Sequence, residues 1–425
     1  MATTPHTPAG ADADGVLDLM SPELLTDPFG GYSRIREQTP VTRASAVPGT
    51  DPAWIVTRYD DVKFVLGDPR FVNNPASVPG MEVPSLTEQA LVARGVPPEY
   101  MPYLLTSILS VDGADHARLR RLVSRAFTAR RVAELRPRVE EITEDLLTRL
   151  PEAAEDGVVD LLRHFAYPLP IVVICELVGI PEEDRPLWRD WSEALTFASG
   201  QRMADTMRDL VAYTHALIER RRAEPTGDLV SALVRVHDED GDRLSDTEMV
   251  MLILALVIAG HETTAHLIGN GTAALLTHPD QLAALRDDPG LAPSAVHELM
   301  RWCGTAQMAS TRYATEDVEI SGTLVRKGEA VFPVLVAANY DPRRFDDPEP
   351  LDITRPTDGR REIHVGFGHG LHYCLGAALA RQEGEVAFTA LLRRYPNLAL
   401  GVPAEELTHD PVPGSWRLSA LPVRL

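Results

Sequence analysis

The sequence predicts a mainly α protein with a small β portion, and three observations carry that prediction. Apolar residues recur at helical spacing over 132–150, 203–222, 245–277 and 377–394, in segments rich in Ala, Leu, Glu and Arg. Strand-like runs are few and short: "AWIVTR" at 53–58, "VEISGTLVRKGEAVFPV" at 318–334 and "WRLSALPVRL" at 416–425. One helical segment is far longer than average. "SDTE" puts Ser245 at an N-cap with Glu248 as its reciprocal partner, and His278 and Pro279 supply a stop. About 33 residues at roughly 1.5 Å each give a long central helix on the order of 50 Å, enough to cross the whole molecule.

A chain of 425 residues with 44% hydrophobic and 24% charged residues can bury a large core, which excludes general disorder. No Ser/Gly-rich or repetitive stretch serves as a linker, so the expectation is a flexible N-terminal tail at 1–20 and a single domain over 21–425. "MATTPHTPAGADADG" carries neither a basic cluster nor an apolar core, so it reads as a frayed tail rather than a signal peptide, and a cytoplasmic location is expected. The longest apolar run, "VMLILALVIA" at 250–259, falls short of the roughly 20 residues a bilayer demands, so no membrane span is expected. Three scattered cysteines argue against a disulfide framework. A formal charge of −21 disfavours non-specific contact with nucleic acid, and no nucleic-acid partner is expected.

Two stretches carry chemistry. Within the long helix, Leu252, Ala255, Ala259 and Thr263 share one face that is kept small in the middle of "AGHETT". That face either leaves room for something beside it or admits a close helix crossing. The second stretch is "HVGFGHGLHYCLGAALAR", 364–381. Gly368, Gly370 and Gly376 let the chain curl around Cys374, and the helix that follows points its free N–H groups at the sulfur. Both effects favour thiolate over thiol. The thiolate could be a nucleophile with His372 or His369 as base, or a metal ligand. Zinc needs more ligands than this loop provides, whereas haem iron takes four donors from its macrocycle and needs one from the protein.

Phe367, Gly368, Gly370, Cys374 and Gly376, the "ELMR" pair Glu298 and Arg301, and "AGHETT" occur in the order and spacing found in cytochromes P450. The sequence resembles that family, specifically its soluble bacterial, actinomycete-type class I monooxygenases. "DHARLRRLVSRAFTARRV" and "RYATEDVEISG" extend the likeness over nearly the entire chain. Cytochromes P450 are the standard case of a thiolate-held haem, so the ligand assignment is made by analogy with them.

The resemblance implies the cytochrome P450 fold and heme b with Cys374 as its axial ligand. It implies that His116, Arg120, Arg312 and His372 meet the two propionates and that Ala259, Phe367, Gly368 and Gly376 complete the cofactor site. "HARLRRLVSRAF" read alone is equally a solvated helix face. Glu262 and Thr263 match the acid–alcohol pair that handles protons, where peroxide-using relatives carry Arg–Pro. Glu298, Arg301 and Arg355 match a structural triad. Tyr340 stands where the family often has Arg. His261 falls off the Thr263 face, and Cys303 is a lesser competitor for the haem, lacking the glycine cradle.

The chain contains no flavin fingerprint and no iron–sulfur cysteine cluster, so electrons are expected from a ferredoxin and ferredoxin reductase fed by NAD(P)H. Arg118, Arg121, Arg125, Arg130 and Arg131 are the candidate docking patch. The other expected partners are O2 and a medium or large, mainly apolar small molecule. The resemblance implies a substrate chamber lined by 73–108, 187–201, Ala255 and Ala259, 304–310 and 411–416. Natural-product hydroxylation or epoxidation is the leading expectation. Oxidative coupling, a peroxide-driven haem enzyme and, outside enzymes, a thiolate-haem gas sensor are the alternatives.

Overall fold

The computed structural model describes residues 15–45, 52–239, 244–357, 362–412 and 414–425. The long helix forms as Asp246–Thr277, with the capping box in place: the Glu248 amide donates to Ser245 Oγ (3.2 Å) and the Ser245 amide to Glu248 Oε2 (2.7 Å). His278 ends it, and Pro279 opens the next helix. Ile253, Val257, Leu267 and Ile268 are fully buried. At about 1.5–3 kcal/mol for each such side chain, packing rather than propensity holds the helix.

Small residues set how closely its neighbours approach. A Cβ on Gly271 would lie 2.6 Å from Phe388 Cζ and 3.1 Å from Leu299 Cδ1, so the helices Ala377–Arg394 and Ala292–Cys303 cross there at a distance only glycine permits. Gly260 faces Ile174 of the helix Pro168–Val178. Both readings of the small face therefore hold on different sides: Gly260 admits a crossing, while Ala255, Ala259 and Thr263 border a cavity. By length and composition, Asp246–Thr277 suffices to cross a bilayer, which the run 250–259 alone did not suggest. Here its apolar sides are largely covered by protein.

The helices expected at 132–150 and 203–222 appear as Ala129–Arg149 and Gly200–Ala223, and the fourth as Ala377–Arg394. The β portion is a six-stranded sheet in the order Leu17–Asp18, Val41–Ser45, Ala53–Val56, Ala330–Pro333, Arg312–Ala314, Phe71–Val72. A hairpin, Val318–Ile320 with Thr323–Val325, and a three-stranded sheet complete it. Of the run 416–425, only Pro422–Arg424 becomes a strand. The tail expected at 1–20 needs correction at its end: Leu17 and Leu19 are buried, and Leu17 pairs in parallel with Ala44. Residues 1–14 lie outside the described residues. On Arg312–Ala314, strand alternation turns Arg312 and Tyr313 to opposite faces, and Tyr313 Oη accepts from the Leu86 amide (2.9 Å).

Candidate active site

The loop before Ala377–Arg394 is held by its own backbone. Cys374 N–H donates to the Phe367 carbonyl (2.9 Å), Gly368 N–H to Val365 (2.8 Å) and Tyr373 N–H to Gly370 (3.1 Å). Gly370 adopts φ +74°, and a Cβ there would lie 2.5 Å from the Leu66 carbonyl oxygen, so no other residue fits. The nearest atom to a Cβ on Gly376 would be Cys374 Sγ, at 3.9 Å, which keeps space open beside the sulfur. The helix start favours thiolate as expected, through the Gly376 N–H, but it does not act alone. Burial pushes the Cys374 thiol up, outweighing the Gly376 N–H and the Arg120 and Arg381 charges that pull it down. A bound metal's own positive charge would favour the thiolate.

Cys374 faces a cavity of about 370 Å³ between the loop and the long helix. His116, Arg120, Arg312 and His372 border it from three different elements. The His116 and His372 rings lie 4.1 Å apart. His116 is buried, its Nε2 has no partner, and burial with the neighbouring His372 and Arg120 charges pushes it down to about 4, so it is neutral near pH 7. Arg312 is buried too and donates to the Ser310 carbonyl (2.9 Å). Burial lowers it to about 10, still protonated at neutral pH. Arg120 donates to the Tyr373 carbonyl (2.8 Å), and His372 stands 3.1–3.3 Å from Asn73 Nδ2 and 3.9 Å from Asp112 Oδ1. Desolvated arginines and an unpartnered imidazole nitrogen beside one cavity fit a ligand that brings carboxylates of its own.

Across the cavity, Thr263 donates from Oγ1 to the Ala259 carbonyl (2.9 Å) with its side chain exposed to the open space. Glu262 does not border the cavity. Its Oε1 lies 2.5 Å from an Arg417 guanidinium nitrogen. His261 is buried off the cavity, with Nδ1 2.7 Å from the Val257 carbonyl. Ala259, Phe367, Gly368 and Gly376 all border the cavity. Among the described residues of the expected chamber segments, 304–310 contributes most, 73–108 only Ile108, and 187–201 and 411–416 nothing.

Glu298, Arg301 and Arg355 come together away from the cavity. Arg301 grips Glu298 with two hydrogen bonds (2.7 and 2.8 Å), Arg355 Nε reaches Glu298 Oε1 (3.1 Å), and Arg301 also donates to the Asn339 and Pro348 carbonyls. Arg301 and Glu298 are 0% and 2% exposed, so each needs the other. Tyr340 lies under the Arg301 guanidinium, 5.3 Å from its ring centre, and donates to the Trp302 carbonyl (2.8 Å), which accounts for its place. Cys303 is buried and outside the cavity, its thiol donating to Leu299 (3.3 Å), so it does not compete with Cys374. The arginines expected to form a docking patch are partly engaged: Arg118 with Glu248 (2.6 Å), Arg130 with Glu134 (2.7 Å), and Arg131 with the Gly227 carbonyl.

Sequence reading missed Glu383 and Arg417, and named Thr305 only as part of the segment 304–310. Glu383 borders the cavity, is 1% exposed with Oε2 unpartnered, and burial pushes it well above the ordinary carboxylate range. Thr305 Oγ1 donates to the Thr263 carbonyl (3.1 Å), and Arg417 holds Glu262. "RQEGE" offers no pattern that marks one glutamate as buried, and nothing near Arg417 in sequence points to position 262.

One thiolate donor backed by a locked loop, with carboxylate-seeking groups around one cavity, defines the class of cysteine-ligated haem proteins. Among the described residues no group of three or more His, Cys, Asp or Glu could hold a bare ion. Comparison with known proteins agrees. The Cytochrome P450 family model matches residues 186–288 and 290–401. Cytochrome P450 monooxygenase PikC of Streptomyces venezuelae is 43% identical, over 96% of this chain and 94% of that protein. The 6-deoxyerythronolide B hydroxylase of Saccharopolyspora erythraea is 42% identical, over 96% and 99%. Among solved structures, the Bacillus subtilis bacillaene polyketide synthase cytochrome P450 PksS superimposes with TM-score 0.85 at 35% identity, covering 96% and 99% of the two chains. The chain belongs to the cytochrome P450 family and is a haem-thiolate monooxygenase, an enzyme that acts on a small molecule with O2 and redox partners.

Proposed function

We propose that this enzyme inserts one oxygen atom from O2 into a medium or large, mainly apolar natural product, as a tailoring hydroxylase or epoxidase of the cytoplasm fed by ferredoxin, ferredoxin reductase and NAD(P)H. One observation carries the reading: the cavity has Cys374 on one wall and Thr263 on the other, and apolar side chains such as Ile108, Leu256, Met308 and Leu335 make up much of the rest. Relatives named Mycinamicin IV hydroxylase/epoxidase and 6-deoxyerythronolide B hydroxylase support the substrate class.

Haem held through Cys374 would supply the activation of dioxygen. Cys374 would hold the metal, and His116, Arg120, Arg312 and His372 would pair with the two propionates. Phe367, Gly368 and Gly376 shape the ligand side, while Ala259 keeps the long helix from filling the opposite one. Thr263 Oγ1 orders water in the cavity, and Glu262 takes a proton from the solvent side and returns it toward that water. Apolar walls exclude other water, which limits release of reduced oxygen. Glu298, Arg301 and Arg355 brace the helices behind Cys374 and touch no reactant. Net, two electrons and two protons enter, one oxygen atom joins the substrate and the other leaves as water.

The test is turnover of a macrolide, terpenoid and cyclic-peptide panel with ferredoxin, reductase and NADPH under labelled dioxygen. One labelled oxygen per product is expected. Label from water instead, or turnover with peroxide and none with ferredoxin, would overturn the proposal.

A further inference from the structure

Glu262 is turned toward a segment near the C-terminus. Arg417 lies 2.5 Å from Glu262 Oε1, its Nε donates to Ser415 Oγ (2.9 Å), and the two charged side chains are only 13% and 19% exposed. This segment is stitched to the cavity wall. Trp416 N–H donates to the Thr305 carbonyl (2.7 Å), Gln307 N–H to Gly414 (2.9 Å), and Asn270 Nδ2 to Trp416 (3.0 Å). Thr305 closes the circuit by donating to the Thr263 carbonyl (3.1 Å). The backbone carrying Arg417 is thus tied to the turn of helix that carries Thr263.

Around the pair lies a polar group of side chains that the mechanism has not used. His266 is fully buried, with Nε2 2.8 Å from Tyr167 Oη and Nδ1 unpartnered. His409 stacks on Trp416 at 3.6 Å. Burial keeps His261, His266 and His409 below their ordinary range, and the Arg417 charge adds to that for His261 and His266. At neutral pH these imidazoles are uncharged, so they do not compete with Arg417 for the Glu262 carboxylate.

We propose that Arg417 is a positioning residue for proton delivery: it fixes the Glu262 carboxylate on the side of the long helix away from the cavity and sets how that group hands a proton to the Thr263 side. This rests on the reading of Glu262 as the relay acid. In the step, Glu262 Oε takes a proton from water and releases it to a second water hydrogen-bonded to Thr263 Oγ1, which regenerates the carboxylate. Arg417 keeps its own protons throughout.

The experiment is a double-mutant cycle on the haem-loaded enzyme with Arg417→Gln, Arg417→Lys, Glu262→Gln and the Arg417→Gln/Glu262→Gln pair. Product formed per NAD(P)H consumed, the solvent deuterium isotope effect on kcat, substrate affinity and the thermal midpoint are read for each. Arg417→Gln is expected to lower product per NAD(P)H several-fold, raise the isotope effect and leave affinity within about twofold. Arg417→Lys should recover much of the loss, and the double variant should be no worse than Glu262→Gln alone. In thermal unfolding the pair should be equally non-additive, each single change costing about 1–2 °C. Additive effects, or an unchanged isotope effect in Arg417→Gln while Glu262→Gln alters it, would overturn the role of Arg417 and leave Glu262 standing. A Glu262→Gln enzyme with wild-type coupling would remove the relay reading itself, and the proposal with it.

Discussion

The two walls of the cavity are built on opposite principles. Behind Cys374 the structure is over-determined: backbone hydrogen bonds close the loop, glycine conformations leave no alternative, and a buried Glu298–Arg301–Arg355 group braces the helices. Across the cavity, Thr263 Oγ1 hydrogen-bonds within its own helix, its carbonyl accepts from Thr305, and Glu262 pairs with a guanidinium from another segment. The contrast separates holding a cofactor from running a reaction. Changes on the first wall should cost folding, and changes on the second should cost chemistry with folding nearly intact.

The largest test of that division is Arg301→Leu. It removes the two-fold grip on a buried Glu298 carboxylate and leaves Arg355 as its remaining guanidinium partner, a loss of about 3 kcal/mol, so the variant should accumulate poorly as folded, haem-loaded protein. A variant with wild-type thermal midpoint would break the contrast. Gly370→Ala comes next. Its positive φ alone costs about 1–2 kcal/mol, and the Leu66 carbonyl stands where the new methyl must go. Haem retention and the thermal midpoint should both fall.

Thr263→Ala should do the reverse, lowering product per NAD(P)H several-fold while stability stays within about 0.5 kcal/mol, as befits an exposed side chain. Equal losses in stability and coupling would merge the two walls into one structural unit. The smallest expected effect concerns acid. Burial pushes His266, His297 and His409 down to about 3, 4 and 4, from an ordinary value near 6.5. The unfolded chain therefore binds protons at these sites before the folded one does. Their stabilising contribution is complete above about pH 6.5 and is lost as pH falls toward 4. The thermal midpoint should drop through that window, and His266→Gln, which can keep a contact with Tyr167, should flatten the slope. A midpoint independent of pH there would contradict the burial account.

Legibility in the sequence followed the same division. The Cys374 loop could be read because its chemistry is local: glycines, ligand and helix start lie within a few residues of one another. The long helix was equally plain, since its capping box and stop are local signals. Arg355 and Arg312 could be placed only through the family resemblance, because a partner 57 residues away in the chain leaves no local pattern. Arg417 and Glu383 were invisible for that reason, and Glu383 also because a carboxylate in a charged run reads as solvated. The described residues of 187–201 and 411–416, expected to face the substrate, do not border the cavity. Their contribution depends on how far neighbouring helices stand off the cavity, which no local pattern encodes.

The central claim, that Cys374 supplies the single protein ligand to haem, is tested most directly by the reduced, carbon-monoxide-bound absorption spectrum of the wild type and of Cys374→Ser. A strongly red-shifted Soret band of the thiolate type, present in the wild type and lost in the variant, is the predicted result. A band of the histidine-ligated type that is the same in both proteins would contradict it.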